Sequence, residues 1–228
     1  MRWQHSPNYG PRRDGALPDL ILIHYTAMQS TRAAADTLCN PETQVSAHYL
    51  IGQDGEVIAL VPEDQRAWHA GAGQWGDVSD VNSRSIGIEL ANAGSTPFAA
   101  AQMDALVALL KDITSRWAIR PERVIGHSDM APGRKIDPGA RFDWRRLALE
   151  NLSVWPSSDV RAQGADPADF VAAMQAFGYS ATQDASLLRD VFRLRFRPRH
   201  EGPLDATDMA MILELAGRFP VDAKDGSA

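Results

Sequence analysis

The stretch LILIH at residues 20–24 decides the fold, because it is typical of a buried strand. Four consecutive apolar residues follow a segment rich in Pro and Gly, and the run ends on a histidine, His24. Ser30 can cap a helix over the following residues, TRAAADTLC, and Asn40 with Pro41 would stop it. A short buried strand followed by a helix indicates a protein in which the two kinds of element alternate.

The alternation continues on the carboxyl side of this strand, as far as about residue 150. It predicts an α/β fold, a mixed central β-sheet flanked by helices. The predicted elements are a hairpin at residues 47–51 and 57–60, a strand at 86–90, a long helix at 96–117 and a strand at 124–126.

Beyond residue 152 the composition changes. Residues 153–166 are rich in Ser, Pro, Gly and Asp with little periodicity, which predicts a linker. Three helix-like segments follow, capped by Asp166, Asp184 and Asp205, and Gly217 would end the last. The predicted division is a main domain at 1–152, a linker at 153–166, a three-helix domain at 167–220 and a tail at 221–228.

Composition and charge exclude several classes of protein. The chain has 228 residues, of which 44% are hydrophobic and 23% charged, so it is expected to fold. Its net charge of -6 argues against a nucleic-acid partner, and its single cysteine, Cys39, permits no internal disulfide. With no signal peptide or transmembrane run in the sequence, we expect a monomer in the cytoplasm; the alternative is a periplasmic or envelope location after removal of a leader.

Three residues have the character of ligands in a catalytic zinc site. His24 and His127 end predicted strands, and Asp137 follows in the loop HSDMAPGRKIDPG. Two nitrogens and one carboxylate leave room for a water, as catalytic zinc sites do. Glu89 is a candidate general base, and Lys135 could stabilise a developing oxyanion. Taken singly, each residue also has an ordinary structural interpretation, so spacing alone does not identify the site.

A resemblance to a known family brings these residues together. The blocks ILIHYTA, VSAHYLIGQDGEVIALVPEDQRAWHAG, NSRSIGIELAN and VIGHSDMAPGRKIDPG resemble, in order, the signature of the Amidase_2 family of N-acetylmuramoyl-L-alanine amidases. The resemblance implies Zn2+ as the cofactor, with His24, His127 and Asp137 as its ligands. It further implies that Glu89 is the catalytic glutamate and that Lys135 stabilises the oxyanion.

The same resemblance extends to the substrate groove and to the C-terminal helices. In the block WHAG, Trp68 and His69 are expected to line the groove. Asn82 and Arg84 are expected to contact the peptide or lactyl end of the substrate, and a plain surface loop is the alternative for Arg84. The segments MQAFGYSA, VFRLRFRP and EGPLDATDMAMI resemble a small peptidoglycan-binding domain, a layout found in AmiD-type enzymes but not in single-domain AmpD-type enzymes.

The sequence therefore predicts a zinc-dependent amidase acting on peptidoglycan or muropeptides. It would cleave between N-acetylmuramic acid, or its 1,6-anhydro form, and the L-alanine of the stem peptide, in peptidoglycan degradation or recycling. The first alternative is a non-catalytic peptidoglycan-recognition module, and the second is an unrelated zinc peptidase.

Overall fold

The computed structural model describes residues 1–157 and 164–221. The strands are β1 (Arg2–Trp3), β2 (Tyr9–Pro11), β3 (Leu20–Tyr25), β4 (Tyr49–Ile51), β5 (Val57–Ala59), β6 (Gln65–Ala67), β7 (Ser85–Leu90) and β8 (Val124–Gly126). The helices are α1 (Thr31–Leu38), α2 (Val81–Arg84), α3 (Ala100–Trp117), α4 (His127–Met130), α5 (Trp144–Leu149), α6 (Pro167–Phe177), α7 (Ala185–Phe196) and α8 (Ala206–Arg218).

Six strands form one mixed sheet in the order β1-β5-β4-β7-β3-β8. β3 lies between β7 and β8 and is parallel to both, whereas β4 and β5 form the expected antiparallel hairpin. β2 and β6 pair in a separate two-stranded sheet. The predicted α/β class, with a mixed central sheet flanked by helices, is confirmed.

The two faces of β3 explain its continuous apolar sequence. Side chains alternate between the faces of a strand. Ile21 and Ile23 pack in one cluster with residues of α3. Leu20 and Leu22 pack in another cluster, which contains residues of α6, α7 and α8. The three C-terminal helices therefore cover one face of the sheet that carries His24, and they share its core.

The long helix α3 begins at Ala100 and not at the predicted residue 96. The amide of Asn92 donates to the backbone carbonyls of Thr96 and Pro97, at 3.3 and 3.4 Å. Because those carbonyls are held by a side chain of the preceding loop, the chain turns there before the helix starts. A tertiary contact of this kind leaves no mark in a helical sequence pattern.

Several short elements were not predicted, since two to six residues are too few for a periodic signal: β1, β2, β6, α2, α4 and α5. The last helix runs one residue past Gly217, to Arg218. Of the predicted linker, residues 158–163 lie outside the described part of the chain, as does the predicted tail apart from Val221. No helix in the described ranges has the length and apolar character needed to cross a membrane.

Candidate metal centre and active site

Three side chains of the kind that bind metals meet at one edge of the sheet. His24 lies near the end of β3, His127 begins α4 directly after β8, and Asp137 lies in the following loop. Nδ1 of His24, Nδ1 of His127 and Oδ2 of Asp137 are 3.0 Å apart in each of the three pairings. All three residues are buried. The structure thus brings together the three residues that the sequence indicated as ligands.

Parallel strand pairing explains why residues so far apart in the chain meet. The carboxyl ends of β7, β3 and β8 lie at one edge of the sheet. His24 pairs directly with Glu89 on β7, and Ile23 pairs with Gly126, which immediately precedes His127. Residues paired side by side project from the same face of a sheet. The cluster therefore has a carboxylate beside it.

The hydrogen on His24 can be placed from a chain of neighbours. The Ser85 hydroxyl donates to the Val81 carbonyl at 2.6 Å, so its oxygen accepts from Nε2 of His69 at 3.3 Å. Nδ1 of His69 is then an acceptor, and it receives the Nε2 hydrogen of His24 at 3.1 Å. Nδ1 of His24 is left with its lone pair directed into the cluster.

His127 also carries its hydrogen on Nε2, and a single contact shows this. Its Nε2 donates to the backbone carbonyl of Ala70 at 2.8 Å, which leaves the lone pair on Nδ1. Two imidazole lone pairs and a carboxylate oxygen at 3.0 Å repel one another unless a cation lies between them. Tetrahedral bonds of about 2.0–2.1 Å separate zinc ligands by about 3.3 Å, which is close to this spacing. The residues therefore fit a metal ion.

Burial and neighbouring charges set the protonation states that a metal requires. Burial, followed by the proximity of His127, lowers the pKa of His24 to about 4. Burial, followed by the proximity of His24, lowers the pKa of His69 well below its usual value. Burial alone would raise the pKa of Asp137, but the adjacent imidazoles outweigh it and keep that pKa well below its ordinary range. At neutral pH His24 and His69 are therefore neutral and Asp137 is ionised.

Glu89 stands beside the cluster with one carboxylate oxygen unpaired. Its Oε2 is shielded from solvent and has no hydrogen-bond partner within the described ranges. Burial, followed by the negative charge of Asp137, raises the pKa of Glu89 to about 8, although the charge of Lys135 opposes the shift. An unpaired buried carboxylate is unfavourable for folding, and such groups are found most often where they perform chemistry.

A cavity of about 520 Å³ opens onto the cluster. Lys135, Trp68, His69 and Glu89 line it; Trp68 and His69 are the two residues that were expected in the groove. Part of its wall is apolar and comes from α1 and neighbouring segments: Ala27, Met28, Ala34, Leu38 and Val45. The cavity thus places an apolar surface, the Lys135 ammonium group and the Glu89 carboxylate around the cluster of His24, His127 and Asp137.

Comparison with known proteins assigns the family. The profile of Amidase_2, described as N-acetylmuramoyl-L-alanine amidase, matches residues 14–140, which include the three ligand-type residues, Glu89 and Lys135. This chain belongs to the Amidase_2 family. The predicted family and the predicted enzyme class, an amidase, are confirmed.

Relatives of this Amidase_2 chain extend over nearly its whole length. N-acetylmuramoyl-L-alanine amidase AmiD of Escherichia coli (strain K12) is 33% identical over 234 residues, which cover 89% of this chain and 84% of AmiD. The structure of E. coli AmiD with anhydro-N-acetylmuramic acid-L-Ala-D-gamma-Glu-L-Lys has a TM-score of 0.81 at 31% identity, covering 95% of this chain and 93% of that one. AmpDh3 of Pseudomonas aeruginosa, in complex with anhydromuramic pentapeptide, has a TM-score of 0.80 at 29% identity and covers 96% of each chain.

Two residues expected to contact substrate do not line the Amidase_2 cavity, namely Asn82 and Arg84. Oδ1 of Asn82 accepts from the backbone N–H groups of His69 and Ala70, at 3.0 and 2.9 Å. Nε of Arg84 donates to Asp19 at 2.8 Å. Both residues precede the amino end of β7, whereas the site lies at the carboxyl end, and six residues of strand span roughly 17–20 Å. Asn82 supports the cavity wall from behind, and Arg84 lies away from it.

Arg134 is a site residue that the sequence interpretation did not single out. Its Nη2 donates to the Ala70 carbonyl at 2.9 Å and also contacts the Ala72 carbonyl. The same Ala70 carbonyl holds His127. The position of Arg134 next to Lys135, in the loop that leads to Asp137, was the available signal.

Proposed function

We propose that this chain uses zinc to hydrolyse the amide between N-acetylmuramic acid, or its 1,6-anhydro form, and the L-alanine of a stem peptide. The observation that carries the proposal is the cluster of His24, His127 and Asp137 beside the unpaired carboxylate oxygen of Glu89. The muropeptide ligands of the similar AmiD and AmpDh3 structures support the substrate class.

The donor set supports zinc as the metal. His24, His127 and Asp137 would hold it through two nitrogens and one carboxylate oxygen, and three protein ligands are the number found in catalytic zinc sites. Zinc bound there supplies Lewis acidity, which lowers the pKa of water and polarises a carbonyl group. The single cysteine, Cys39, is absent from the residues that line the cavity.

Glu89 and Lys135 move the protons and balance the charge. Glu89 takes a proton from the attacking water as the water oxygen bonds to the amide carbon, and it returns the proton to the leaving amine as the C–N bond breaks. Lys135 lines the same cavity and donates to the carbonyl oxygen, on which negative charge develops. A carboxyl group with a pKa of about 8 can act as base and as acid near neutral pH.

The two aromatic residues of the WHAG block have different tasks in this proposal. Trp68 lines the cavity and offers a flat apolar surface to the sugar or lactyl group. His69 lines it too, but both of its ring nitrogens are engaged, by His24 and by Ser85. His69 therefore orients the His24 ligand from behind in addition to bounding the cavity.

The ligands of the similar structures carry the anhydro sugar, which supports recycled wall fragments as substrates. On this proposal the protein acts as a monomer in the cytoplasm. Intact peptidoglycan, reached from the periplasm or envelope with the C-terminal helices as the binding domain, is the alternative. Cell fractionation and size-exclusion chromatography test these two points.

Mass spectrometry of reaction products tests the activity. The full-length protein is incubated with an anhydro-muropeptide, an ordinary muropeptide and whole sacculi, with Glu89→Ala as the inactive control. We expect release of intact stem peptide beginning with L-alanine. Binding without cleavage would instead identify a recognition module, and cuts between amino acids of the stem would identify a peptidase.

A further inference from the structure

A buried carboxylate links the metal centre to the C-terminal helices. Asp129 lies in α4, two residues after His127, and is almost completely buried. Its Oδ2 accepts from the backbone N–H of Gly126 at 2.8 Å and from Nη1 of Arg195 at 2.7 Å. Its Oδ1 accepts from the hydroxyl of Tyr179 at 2.8 Å. Two of these three partners belong to the C-terminal part of the chain.

Arg195 reaches from α7 into the sheet that carries the site. Only 2% of its surface is exposed. Its Nη2 donates to the carbonyl of Val124 on β8 and to the hydroxyl of Ser153, both at 3.1 Å. Its guanidinium lies over the ring of Trp144, 4.3 Å from the ring centroid. Arg195 thus holds β8 and the turn after it, the two elements that present His127.

A second set of hydrogen bonds joins the C-terminal part to the segment around Gly76, which in turn contacts α4. The N–H of Gly76 donates to the Gly178 carbonyl at 2.8 Å, and the Ser180 hydroxyl donates to the Gly76 carbonyl at 2.7 Å. Two residues earlier, the N–H of Gln74 donates to the carbonyl of Met130, the last residue of α4, at 2.8 Å. The C-terminal part therefore contacts both α4 and the segment packed against it.

The short helix α4, a single turn long, also fixes the proposed third ligand, Asp137. The backbone N–H of Ser128 donates to the backbone carbonyl of Asp137 at 2.9 Å. Two of the three ligands, His127 and Asp137, therefore depend on the position of this one turn. No residue of the C-terminal helices, within the ranges described, lines the cavity itself.

We propose that the C-terminal helices position the metal ligands of the amidase site. Arg195 and Tyr179 hold Asp129, and Asp129 holds the turn that presents His127 and anchors the loop of Asp137. Arg195, Tyr179 and Asp129 are positioning residues, and they act without touching substrate. The inference rests on the proposed function, because it takes His127 and Asp137 as zinc ligands.

The test compares two arginines of the same helix. Arg193 forms an equally buried pair with Asp208, and its Nη1 donates to the Gly202 carbonyl at 2.7 Å, so its contacts stay within the C-terminal part. Arg195→Lys and Arg193→Lys are the same substitution at two buried ion pairs, of which only one reaches the metal centre. Both are made in the full-length protein, with circular dichroism as the check of folding.

Zinc affinity, measured by competition with a chelator, is the primary readout. We expect Arg195→Lys to weaken zinc binding about tenfold or more, as substitutions behind metal ligands do, and Arg193→Lys to change it less than about twofold. The visible absorption spectrum of the cobalt-substituted protein should change only in Arg195→Lys. In the same variant kcat should fall while KM stays within about twofold, because the cavity wall is untouched.

Tyr179→Phe gives a second, milder test. It removes one hydrogen bond from Asp129 and keeps the ring, which packs against Trp75. We expect it to fold and to bind zinc a few times more weakly, roughly threefold. It carries the test on its own if Arg195→Lys does not fold.

Unchanged zinc affinity in folded Arg195→Lys, or in folded Tyr179→Phe, would overturn the inference. Equal weakening in Arg193→Lys and Arg195→Lys would also overturn it, since the effect would then be one of general stability. Failure of the wild-type protein to bind zinc would refute the proposed function instead, so the two failures are distinguishable.

Discussion

Two carboxylates of this protein, Glu63 and Glu89, face opposite situations. The Glu63 carboxylate accepts from the hydroxyl of Tyr49 at 2.8 Å, from Nε1 of Trp117 at 2.6 Å and from Arg116 at 2.9 Å. Burial alone would raise its pKa, but these partners outweigh burial and lower it. Glu89 has an unpaired oxygen and a pKa raised to about 8 by burial.

The difference separates a structural carboxylate, Glu63, from one whose surroundings suit the proposed role of general base, Glu89. Every hydrogen bond to Glu63 stabilises its ionised form and ties together distant parts of the chain. Glu89 is held on β7 opposite His24 but is left free to accept a proton. The same division applies to histidines, because the ring of His48 is engaged by backbone groups whereas His24 directs a lone pair into the cluster.

The largest expected effect comes from exchanging these two glutamates for glutamine. Glu89→Gln should lower kcat by about 10²–10⁴, since it removes the proposed general base, and should leave zinc binding intact. Glu63→Gln should leave kcat near the wild-type value and lower the free energy of unfolding by about 1–2 kcal/mol. Steady-state kinetics measure kcat, and chemical denaturation measures the free energy of unfolding. Full turnover in Glu89→Gln would show that Glu89 is not the general base.

Two lysines provide the next contrast. Lys135→Met should lower kcat by about 10²–10³, because the carbonyl oxygen loses a charged donor. Lys111 makes an exposed ion pair with Glu150 at 2.8 Å, and Lys111→Met should change neither kcat nor stability measurably. Equal activity of the two variants would show that Lys135 is only a solvated charge.

A pair of histidines tests the hydrogen-bond chain behind the ligand. His69→Gln should weaken zinc binding about 10–100-fold, because Nε2 of His24 loses its acceptor. His48→Gln should cost about 1–3 kcal/mol of stability, since Gly87 and Gln65 lose their partner, with zinc affinity retained. Chelator competition measures the zinc affinity of both folded variants. Weaker zinc binding in His48→Gln than in His69→Gln would contradict the hydrogen positions inferred for His24 and His69.

The dependence of kcat/KM on pH is the mildest contrast. Glu89 must be ionised to act as a base, and its pKa is raised, so activity should fall about tenfold per pH unit below that pKa. Glu63→Gln should keep this fall of kcat/KM in acid. The residual activity of Glu89→Gln should no longer show it. An acid limb near the ordinary glutamate pKa of about 4.3 would show that burial does not perturb Glu89.

Much of the site could be predicted because its residues lie in separate, recognisable blocks. The run LILIH indicated β3, and the order of the blocks indicated His24, Glu89, His127, Lys135 and Asp137. The structure adds the reason that they meet, which is the parallel pairing of β3 with β7 and β8.

What the sequence could not indicate depends on contacts between distant residues. The start of α3 is set by the Asn92 side chain, and the place of Arg84 by its ion pair with Asp19. The pair of Asp129 and Arg195 joins positions 66 residues apart, in segments that the composition assigned to different domains. Neither residue differs locally from an ordinary charged residue of a helix.

Titration of metal-stripped, full-length protein with zinc tests the central claim most directly. Amide hydrolysis of a muropeptide is followed as zinc is added in fractions of one equivalent. We expect no activity at the start, a linear rise and a plateau at one zinc per chain. Full activity in the stripped protein, or a plateau at a ratio other than one zinc per chain, would contradict a single zinc held by His24, His127 and Asp137.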